Sequence, residues 1–256
     1  MLRQTNWNIT RAFVQKWRAS YKRSPFAAIL ETRYWLSNAY LARGQGAINT
    51  VTPEGLKIYR EWLKKAESTL IQSKPYAATS PLWYKEYLNL TADLGWPVEK
   101  RLALFNEAIE RHPKFIDCFD STVIGLLPKW GGSWQLVETF AQNAVKSGET
   151  AEGKIRYSEI YVRVANNELT DPNFNLFRDT SISWPTMREG FKDMMARYPN
   201  STWNANRFAV FACKAQDKEA YQSIRPYIGK AFVYEAWDFK QELLVACDKK
   251  FGWVQP

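Results

Sequence analysis

The chain has 256 residues, a formal net charge of +9, 46% hydrophobic residues and 12 tryptophans. A chain of this length buries about 70–75% of its unfolded surface, so a stable core needs no disulfide support. No apolar run approaches the roughly 20 residues that cross a bilayer, and the first five residues lack the apolar core of a signal peptide. These properties exclude a transmembrane protein and predict a cytoplasmic chain, or a periplasmic one if a signal sequence was removed.

The first predicted helix, near residues 6–21, is strongly basic. Residues 1–30 contain six lysines and arginines and no acid. Arg11, Arg18 and Lys22 are spaced i, i+7 and i+11, which places them on one side of a helix. We treat these three residues as candidate interaction residues at a basic edge.

An apolar stripe on the same helix is expected to face the core. It consists of Val14, Trp17 and Tyr21, while the basic side chains are expected to stay in water. A solvated basic edge attracts acidic proteins, nucleic acid or anionic lipid. Because no nucleic-acid-binding motif accompanies the charges, we expect an acidic protein or peptide partner, and only weak, salt-sensitive binding to nucleic acid.

Repeated start and stop signals predict helices along the whole chain. In Ser24-Pro25, Thr52-Pro53 and Ser80-Pro81, the hydroxyl can cap a helix while Pro occupies its first turn. Glycines such as Gly44 and Gly95 mark helix ends. Apolar residues between these signals recur at helical spacing, without an alternating strand pattern, so the fold class is all-α. The predicted helices lie near residues 6–21, 25–43, 53–72, 81–94, 97–111, 115–127, 133–147, 151–167, 185–197, 203–214, 217–228 and 237–250.

Arg43 opens the glycine-containing segment Arg43-Gly44-Gln45-Gly46. This segment lacks the spacing and the Lys-Ser/Thr pair of a phosphate-binding loop, and no strand precedes it. A left-handed helix end at Gly44 explains the glycine. Arg43 stays among the candidate interaction residues.

A weak internal repeat favours stacked helical hairpins. Phe105–Pro113 aligns with Phe191–Pro199, since each segment begins with Phe, carries Arg near the helix end and closes with an aromatic-Pro pair. Short connections place neighbouring helices antiparallel. We therefore predict a tetratricopeptide-like solenoid that forms one domain over residues 1–256, with a minor boundary at 166–183.

The segment Pro128–Trp134 is the leading candidate loop. Its two glycines permit a tight turn and the close approach of a backbone or a ligand. The lysine, together with the N–H groups that begin the next helix, can hold an anion. The structural alternative is a constrained interhelix loop whose first tryptophan fills the hairpin core. The candidate interaction residues here are Lys129, Trp130, Gly131, Gly132 and Trp134.

The cysteines and the single histidine do not indicate a metal site or a catalytic site. Cys118, Cys213 and Cys247 are widely spaced and form no CxxC motif, so we expect all three to be buried, small apolar residues without a disulfide framework. His112 lies at a predicted helix end, where the helix dipole favours it. The sequence predicts no catalytic residue, no cofactor and no metal.

Three segments resemble a known family. They are Leu126–Ser133, which reads Leu-Leu-Pro-Lys-Trp-Gly-Gly-Ser, the upstream segment Trp35–Gly44, and the late segment Tyr198–Ala209. The Lys-Trp-Gly-Gly-Ser element is the most specific of them. Together they resemble the bacterial family called domain of unknown function 4034. The resemblance implies a bacterial source and a tetratricopeptide-like helical fold, and it brings no known activity.

The preferred functional hypothesis is a non-enzymatic protein-interaction module, such as a bacterial immunity or adaptor protein. The repeat and the aromatic excess favour it, because stacked hairpins present broad binding surfaces. The alternative is an enzyme of unknown reaction with a site near Trp130; a structural scaffold ranks third. A binding module should show a broad groove lined by aromatic residues and Arg, whereas an enzyme should show a deep pocket where acids or His converge with shifted pKa values.

Overall fold

The computed structural model describes residues 7–44, 46, 48–148, 150–168, 171, 173–229, 231–238 and 240–254, with the backbone alone at 7–10, 150 and 151. These residues contain helices and no strand, which confirms the all-α prediction. None of the described helices is long and apolar enough to span a bilayer. The α-helices are α1 (Trp7–Ser20), α2 (Pro25–Arg43), α3 (Pro53–Ala77), α4 (Pro81–Asp93), α5 (Val98–Arg111), α6 (Asp117–Leu126), α7 (Trp134–Ser147), α8 (Thr150–Asn167), α9 (Leu176–Asp179), α10 (Trp184–Arg197), α11 (Thr202–Lys214), α12 (Lys218–Ile228) and α13 (Gln241–Phe251). Short 3₁₀ turns lie at Ile48–Thr50, Pro128–Trp130 and Tyr234–Trp237.

Several of the predicted helix starts are capped by a side chain. Ser24 accepts a hydrogen bond from the N–H of Ala27 at 3.2 Å, and Thr52 accepts one from Gly55 at 3.1 Å. These bonds satisfy backbone donors that the first helical turn leaves open. α3 runs five residues beyond its predicted end at residue 72, and its last turn includes Pro75. A proline there removes one backbone hydrogen bond without ending the helix.

The chain divides into two compact units, Met1–Gly125 and Leu126–Pro256. The interval 166–183, where the sequence predicts a minor boundary, lies inside the second unit and contains the short helix α9. Each unit contains its own buried apolar residues, and the two are described separately below.

The first unit is organised around the hairpin of α2 and α3, against which α1 and α4 pack. Trp83 of α4 is fully buried, and its indole N–H donates to the carbonyl of Leu70 at 3.1 Å and to Ser73 Oγ at 3.2 Å. A buried tryptophan supplies a large apolar area while its N–H needs a partner. The two bonds to α3 meet that need.

The second unit is organised around α8, which packs against α7 and α10. Two glycines allow these helices to approach closely. A Cβ at Gly153 would lie 2.4 Å from the carbonyl oxygen of Val145, and a Cβ at Gly190 would lie 2.1 Å from that of Lys154. Any larger residue at either position would push the helix backbones apart.

A buried amide holds the segment that follows α12. The Nδ2 of Asn206, on α11, donates to the carbonyls of Thr202 at 2.8 Å and Ala231 at 2.9 Å. Its Oδ1 accepts from the indole N–H of Trp237 at 2.8 Å and from the N–H of Val233 at 3.3 Å. Asn206 is fully buried, so these four bonds satisfy its hydrogen-bonding groups inside the protein.

A disulfide joins the last helix to the rest of the second unit. Cys213 of α11 and Cys247 of α13 are bonded, with their Cα atoms 5.9 Å apart. The prediction of three unpaired cysteines is therefore wrong for this pair, because the fold brings together residues separated by 34 positions in sequence. Cys118 is free and buried, as predicted. Arg225 of α12 adds hydrogen-bonded ion pairs to Asp248 of α13, at 2.8 and 2.9 Å.

Tyrosine–carboxylate hydrogen bonds between different helices recur in both units. In each pair a buried or half-buried tyrosine hydroxyl donates to an acidic side chain on another helix. Burial and the adjacent carboxylate raise the pKa of each of these tyrosines above its usual value. The pairs are Tyr59–Asp93 (2.7 Å), Tyr84–Glu107 (2.8 Å), Tyr157–Glu138 (2.9 Å) and Tyr221–Asp248 (2.6 Å).

The two segments of the predicted repeat end in the same local geometry. At the end of α5 the N–H of His112 donates to the carbonyl of Ala108, and at the end of α10 the N–H of Tyr198 donates to that of Met194, both at 2.9 Å. The stacking of such hairpins into a tetratricopeptide-like solenoid stays a prediction.

Candidate functional site

The Trp130 loop, residues Pro128–Trp134, is a tightly constrained connection. Gly131 has a φ of +83°, a left-handed conformation that favours glycine. Gly132 lies so close to the preceding helix that a Cβ there would be 1.9 Å from the carbonyl oxygen of Leu126. Ser133 accepts a hydrogen bond from the N–H of Leu136 and caps α7. Backbone geometry therefore accounts for both glycines and for the serine.

The side chains of this loop contact other parts of the second unit. Lys129 Nζ lies 2.9 Å from Glu168 Oε1 and donates to the carbonyl of Asn167 at 3.0 Å. The ring of Trp134 lies 5.5 Å from that of Phe174. Trp130 is half-buried. An anion at Lys129 would have to displace Glu168, which weakens the hypothesis of an anion site.

Arg43 lies at the end of α2 and is half-buried. Its guanidinium donates to the carbonyl of Gly44 at 3.3 Å, and Gly44 has a φ of +71°, as expected of a glycine that ends a helix. Burial and the carboxylate of Asp93 raise the pKa of Tyr40, and the charge of Arg43 opposes that rise. Gln45, the third residue of the predicted segment, lies outside the described residues. Arg43 thus belongs to a local polar network.

The outer face of α1 exposes aromatic rings. Phe13 is 55% exposed and Tyr21, which directly follows the helix, is 66% exposed. Trp17 lies between them, half-buried, with its ring in edge contact with that of Phe13 at 5.6 Å. These rings, with Lys16 and Ser20, line a shallow hollow of about 320 Å³. We call this surface the α1 aromatic face.

The buried face of α1 contains fewer residues than predicted. Val14 is 2% exposed, whereas Tyr21, which was expected in the same buried stripe, is exposed. The prediction that Arg18 stays solvated is also wrong. Its Nε lies 2.9 Å from Glu31 of α2, and its Nη1 donates to the hydroxyl of Tyr76 of α3 at 2.6 Å. Arg18 therefore anchors α1 to the hairpin.

The remaining cations of this region stay accessible. Arg11 and Lys22 are exposed, as predicted, and so are Lys16 and Arg23. The first acid in the chain is Glu31, and its carboxylate is bound by Arg18. Within the described residues, no ion pair joins Arg11, Lys16, Lys22 or Arg23 to an acid, so the surroundings of the α1 aromatic face are positively charged.

His112 and Cys118 have structural surroundings. The ring of His112 hydrogen-bonds through Nε2 with the carbonyl of Ala78 at 3.1 Å and lies 5.7 Å from the ring of Tyr84. Burial raises the pKa of the Cys118 thiol to about 12, so the thiol is neutral at physiological pH. In the part of the chain that the structure describes, no group of three or more acidic, Cys or His residues is placed to hold a metal ion.

Comparison of the chain with family models, curated proteins and solved structures finds no match. Membership in the family called domain of unknown function 4034 therefore stays a prediction.

The structure adds residues that the sequence analysis passed over. Phe13 and Lys16 belong to the α1 aromatic face, yet neither was a candidate. A signal for Phe13 was present, since Phe13, Trp17 and Tyr21 are spaced i, i+4 and i+8. The spacing of Val14, Trp17 and Tyr21 overlaps with this pattern and predicts a buried stripe instead. Of the three predicted basic residues, Arg11 and Lys22 are exposed, and Arg18 anchors α1 to α2 and α3.

Proposed function

We propose that this chain is a protein-interaction module that binds an acidic, amphipathic segment of a partner protein on the α1 aromatic face. The observation that carries the proposal is the exposure of Phe13 and Tyr21, on either side of the half-buried Trp17, beside solvated cations. Exposed apolar patches with a polar border mark interaction sites on soluble proteins.

The composition of the surface favours a protein partner. Trp and Tyr contribute much of the binding energy of protein interfaces because they bury large areas at low entropic cost. A partner helix could place apolar residues over the rings of Phe13 and Trp17 while its acids reach Lys16, which lines the same hollow. Such complementary charges accelerate association and select against basic partners.

Nucleic acid fits this surface less well. Proteins that bind single strands stack successive bases on the faces of separate aromatic rings along a basic groove. Here the rings of Phe13 and Trp17 pack edge to face against each other, at an interplanar angle of 61°. This packing shields part of each ring from a base.

A bacterial immunity or adaptor protein is the specific form of the role that the sequence favours.

The alternative, an enzyme with its site near Trp130, has weaker support. Lys129 is ion-paired to Glu168, and the geometry of Gly131 and Gly132 is explained by the turn itself. On the α1 aromatic face, by contrast, the rings of Phe13 and Tyr21 are more than half exposed, and Lys16 is exposed beside them.

The experiment measures binding of labelled synthetic helices by fluorescence anisotropy. Three peptides share one apolar face and carry acidic, neutral or basic polar faces. We expect the acidic peptide to bind most tightly. The triple reversal Arg11→Glu/Lys16→Glu/Lys22→Glu should weaken it by about tenfold or more, because it inverts the charge at the border. Arg18 is left unchanged, since it anchors α1.

A matched reversal controls for net charge. Lys64→Glu/Lys218→Glu/Lys249→Glu changes three exposed lysines elsewhere and should leave the affinity for the acidic peptide nearly unchanged. The double substitution Phe13→Ser/Tyr21→Ser should abolish binding. Equal affinity for all three peptides, or equal loss in both triple variants, would refute the proposal. So would tight binding to an oligonucleotide or to anionic phospholipid vesicles that persists at physiological salt.

A further inference from the structure

The second unit contains a cleft of about 320 Å³ that the proposed function does not use. It lies between the end of α8, the segment that contains α9, the end of α11 and the start of α13. Its volume is at the lower end of the range of small-molecule sites, roughly 300–1,000 Å³. None of its lining residues belongs to the α1 aromatic face.

The apolar lining of the cleft is mostly aromatic. Phe211 is fully buried at its base, and Phe174 and Phe177 are half-buried on the side of α9. Leu176, Leu243 and Ala165 complete this lining. Three phenylalanines and two leucines provide a surface that suits a flat, apolar ring system.

The carboxylates that line the cleft are already paired with cations. Glu168 is bound by Lys129 at 2.9 Å. Asp238 is bound by Lys214 at 2.5 Å and lies 3.9 Å from Arg207. Lys129 and Arg207 lie outside the lining, so the surroundings supply additional positive charge to offset these two acids.

The mouth of the cleft adds one more cation. Lys240 lines the opening and is exposed, and within the described ranges it has no ion-pair partner. The third lining acid, Asp171, accepts a hydrogen bond from the backbone N–H of Asn173 at 2.9 Å. Together with Lys129 and Arg207, the two lining lysines place four cations around these three acids, so the cleft is better suited to a negative ligand than to a positive one.

The disulfide connects two walls of this cleft. Cys213 directly precedes Lys214 on α11, and Cys247 lies one helical turn beyond Leu243 on α13. The covalent bond therefore fixes the spacing of the wall that carries Phe211 and Lys214 relative to the wall that carries Leu243. A site held in its binding geometry before the ligand arrives loses less entropy on binding.

We propose that this cleft binds an aromatic organic anion, whose ring lies against Phe174, Phe177 and Phe211 and whose carboxylate, sulfonate or phosphate group lies at Lys240. The ring supplies buried apolar area, and the anionic group adds charge-assisted hydrogen bonds from the lysine.

The test uses two fluorescent probes of similar size and opposite charge, anilinonaphthalene sulfonate and a dansyl amine, titrated into the full chain. We expect saturable binding of the sulfonate, with an affinity at least about tenfold above that of the amine, because the exposed Lys240 attracts one probe and repels the other. Lys240→Glu should reverse this preference. Lys249→Glu, a reversal at an exposed lysine on the outer side of α13, should preserve it.

Two further variants assign the bound probe to the cleft. Phe177→Ser should weaken sulfonate binding, whereas Phe13→Ser/Tyr21→Ser on the α1 aromatic face should not. Cys213→Ser/Cys247→Ser should also weaken it, because the two walls are no longer tied together. Circular dichroism verifies that each variant is folded. If Phe177→Ser unfolds, Lys240→Glu still tests the proposal, because Lys240 is exposed.

Two results would overturn the proposal. One is amine binding as tight as sulfonate binding. The other is sulfonate binding that is lost in the Phe13→Ser/Tyr21→Ser variant and retained in Lys240→Glu. Either result would leave the peptide-binding role of the α1 aromatic face unaffected, since that role is measured with different ligands.

Discussion

The first and last helices of the chain are attached in opposite ways. α1 is held by the burial of Val14 and by the contacts of Arg18 with Glu31 and Tyr76, and it leaves the rings of Phe13 and the adjoining Tyr21 in water. α13 is tied to α11 by a disulfide and to α12 by the ion pair of Asp248. One terminal helix thus keeps a large apolar surface unburied, while the other is covalently fixed.

This difference separates residues that stabilise the fold from residues available to a partner. The stabilising contacts of α13 are buried or covalent. The residues that make them are therefore not available to bind a partner. On α1 the exposed rings of Phe13 and Tyr21 contribute little to folding, because an apolar group gains no free energy from a contact it does not make. Stability measurements should therefore distinguish the two helices sharply.

The largest effect is expected at the disulfide. Cys213→Ser/Cys247→Ser should lower the free energy of unfolding by about 3–4 kcal/mol, since the bond closes a loop of 34 residues and restricts the unfolded chain. Urea unfolding measures the change. Wild-type protein treated with reductant should match the variant, and Cys118→Ala should respond to reductant as wild type does. An unfolding midpoint that reductant leaves unchanged would contradict the expectation.

A smaller loss is expected at Asn206, which holds the segment leading to α13. Asn206→Ala leaves the buried indole N–H of Trp237 without its acceptor and should cost about 2–3 kcal/mol. The control is Asn204→Ala, two residues earlier on the same helix, where the side chain is half-exposed. Thermal unfolding of both variants compares the two sites. Equal losses would show that the hydrogen bonds of Asn206 do not account for the effect.

The anchor of α1 should contribute less. Arg18→Met keeps much of the side-chain length and removes the ion pair with Glu31, which is partly exposed to solvent. We expect a cost of about 1 kcal/mol, in line with partly exposed ion pairs. Arg11→Met, on the exposed side of the same helix, should be neutral in the same urea titration. A cost comparable to that of the disulfide would mean that α1 is as firmly attached as α13.

The smallest effect is expected on the α1 aromatic face. Phe13→Ser/Tyr21→Ser should change the free energy of unfolding by less than about 0.5 kcal/mol, because both rings are more than half exposed. Val14→Ala, on the buried side, should cost about 2 kcal/mol by comparison. If the double variant proves the less stable of the two, the rings belong to the core and the proposed docking surface is wrong.

The positions of most helices could be predicted from local signals, and the all-α fold class follows from them. Ser24 and Thr52 cap their helices because the hydroxyl bonds to N–H groups only three residues away, a contact that sequence spacing defines. The end of α3 was misplaced, since Pro75 sits inside its last turn. Such errors arise where tertiary packing outweighs a local preference.

The candidate surfaces were harder to predict because they depend on contacts between distant residues. Two overlapping stripes on α1 share Trp17 and Tyr21, and only packing against α2 determines that Val14 is buried and Phe13 exposed. The bond between Cys213 and Cys247 likewise follows from the approach of α11 to α13. No spacing rule for cysteine pairs would have indicated it.

The tyrosine–carboxylate hydrogen bonds give the protein a sensitivity to alkali. A tyrosine whose pKa is raised in the folded state stays neutral there, while in the unfolded chain it ionises near its ordinary pKa of about 10. These bonds therefore contribute fully below that pH, and their contribution is lost as the pH rises toward the folded pKa. The phenolate absorbance of these buried tyrosines should consequently appear only at the pH at which helix is lost, as circular dichroism measures it. The phenolate absorbance of Tyr84 in the first unit and of Tyr221 in the second should thus report whether each unit is folded.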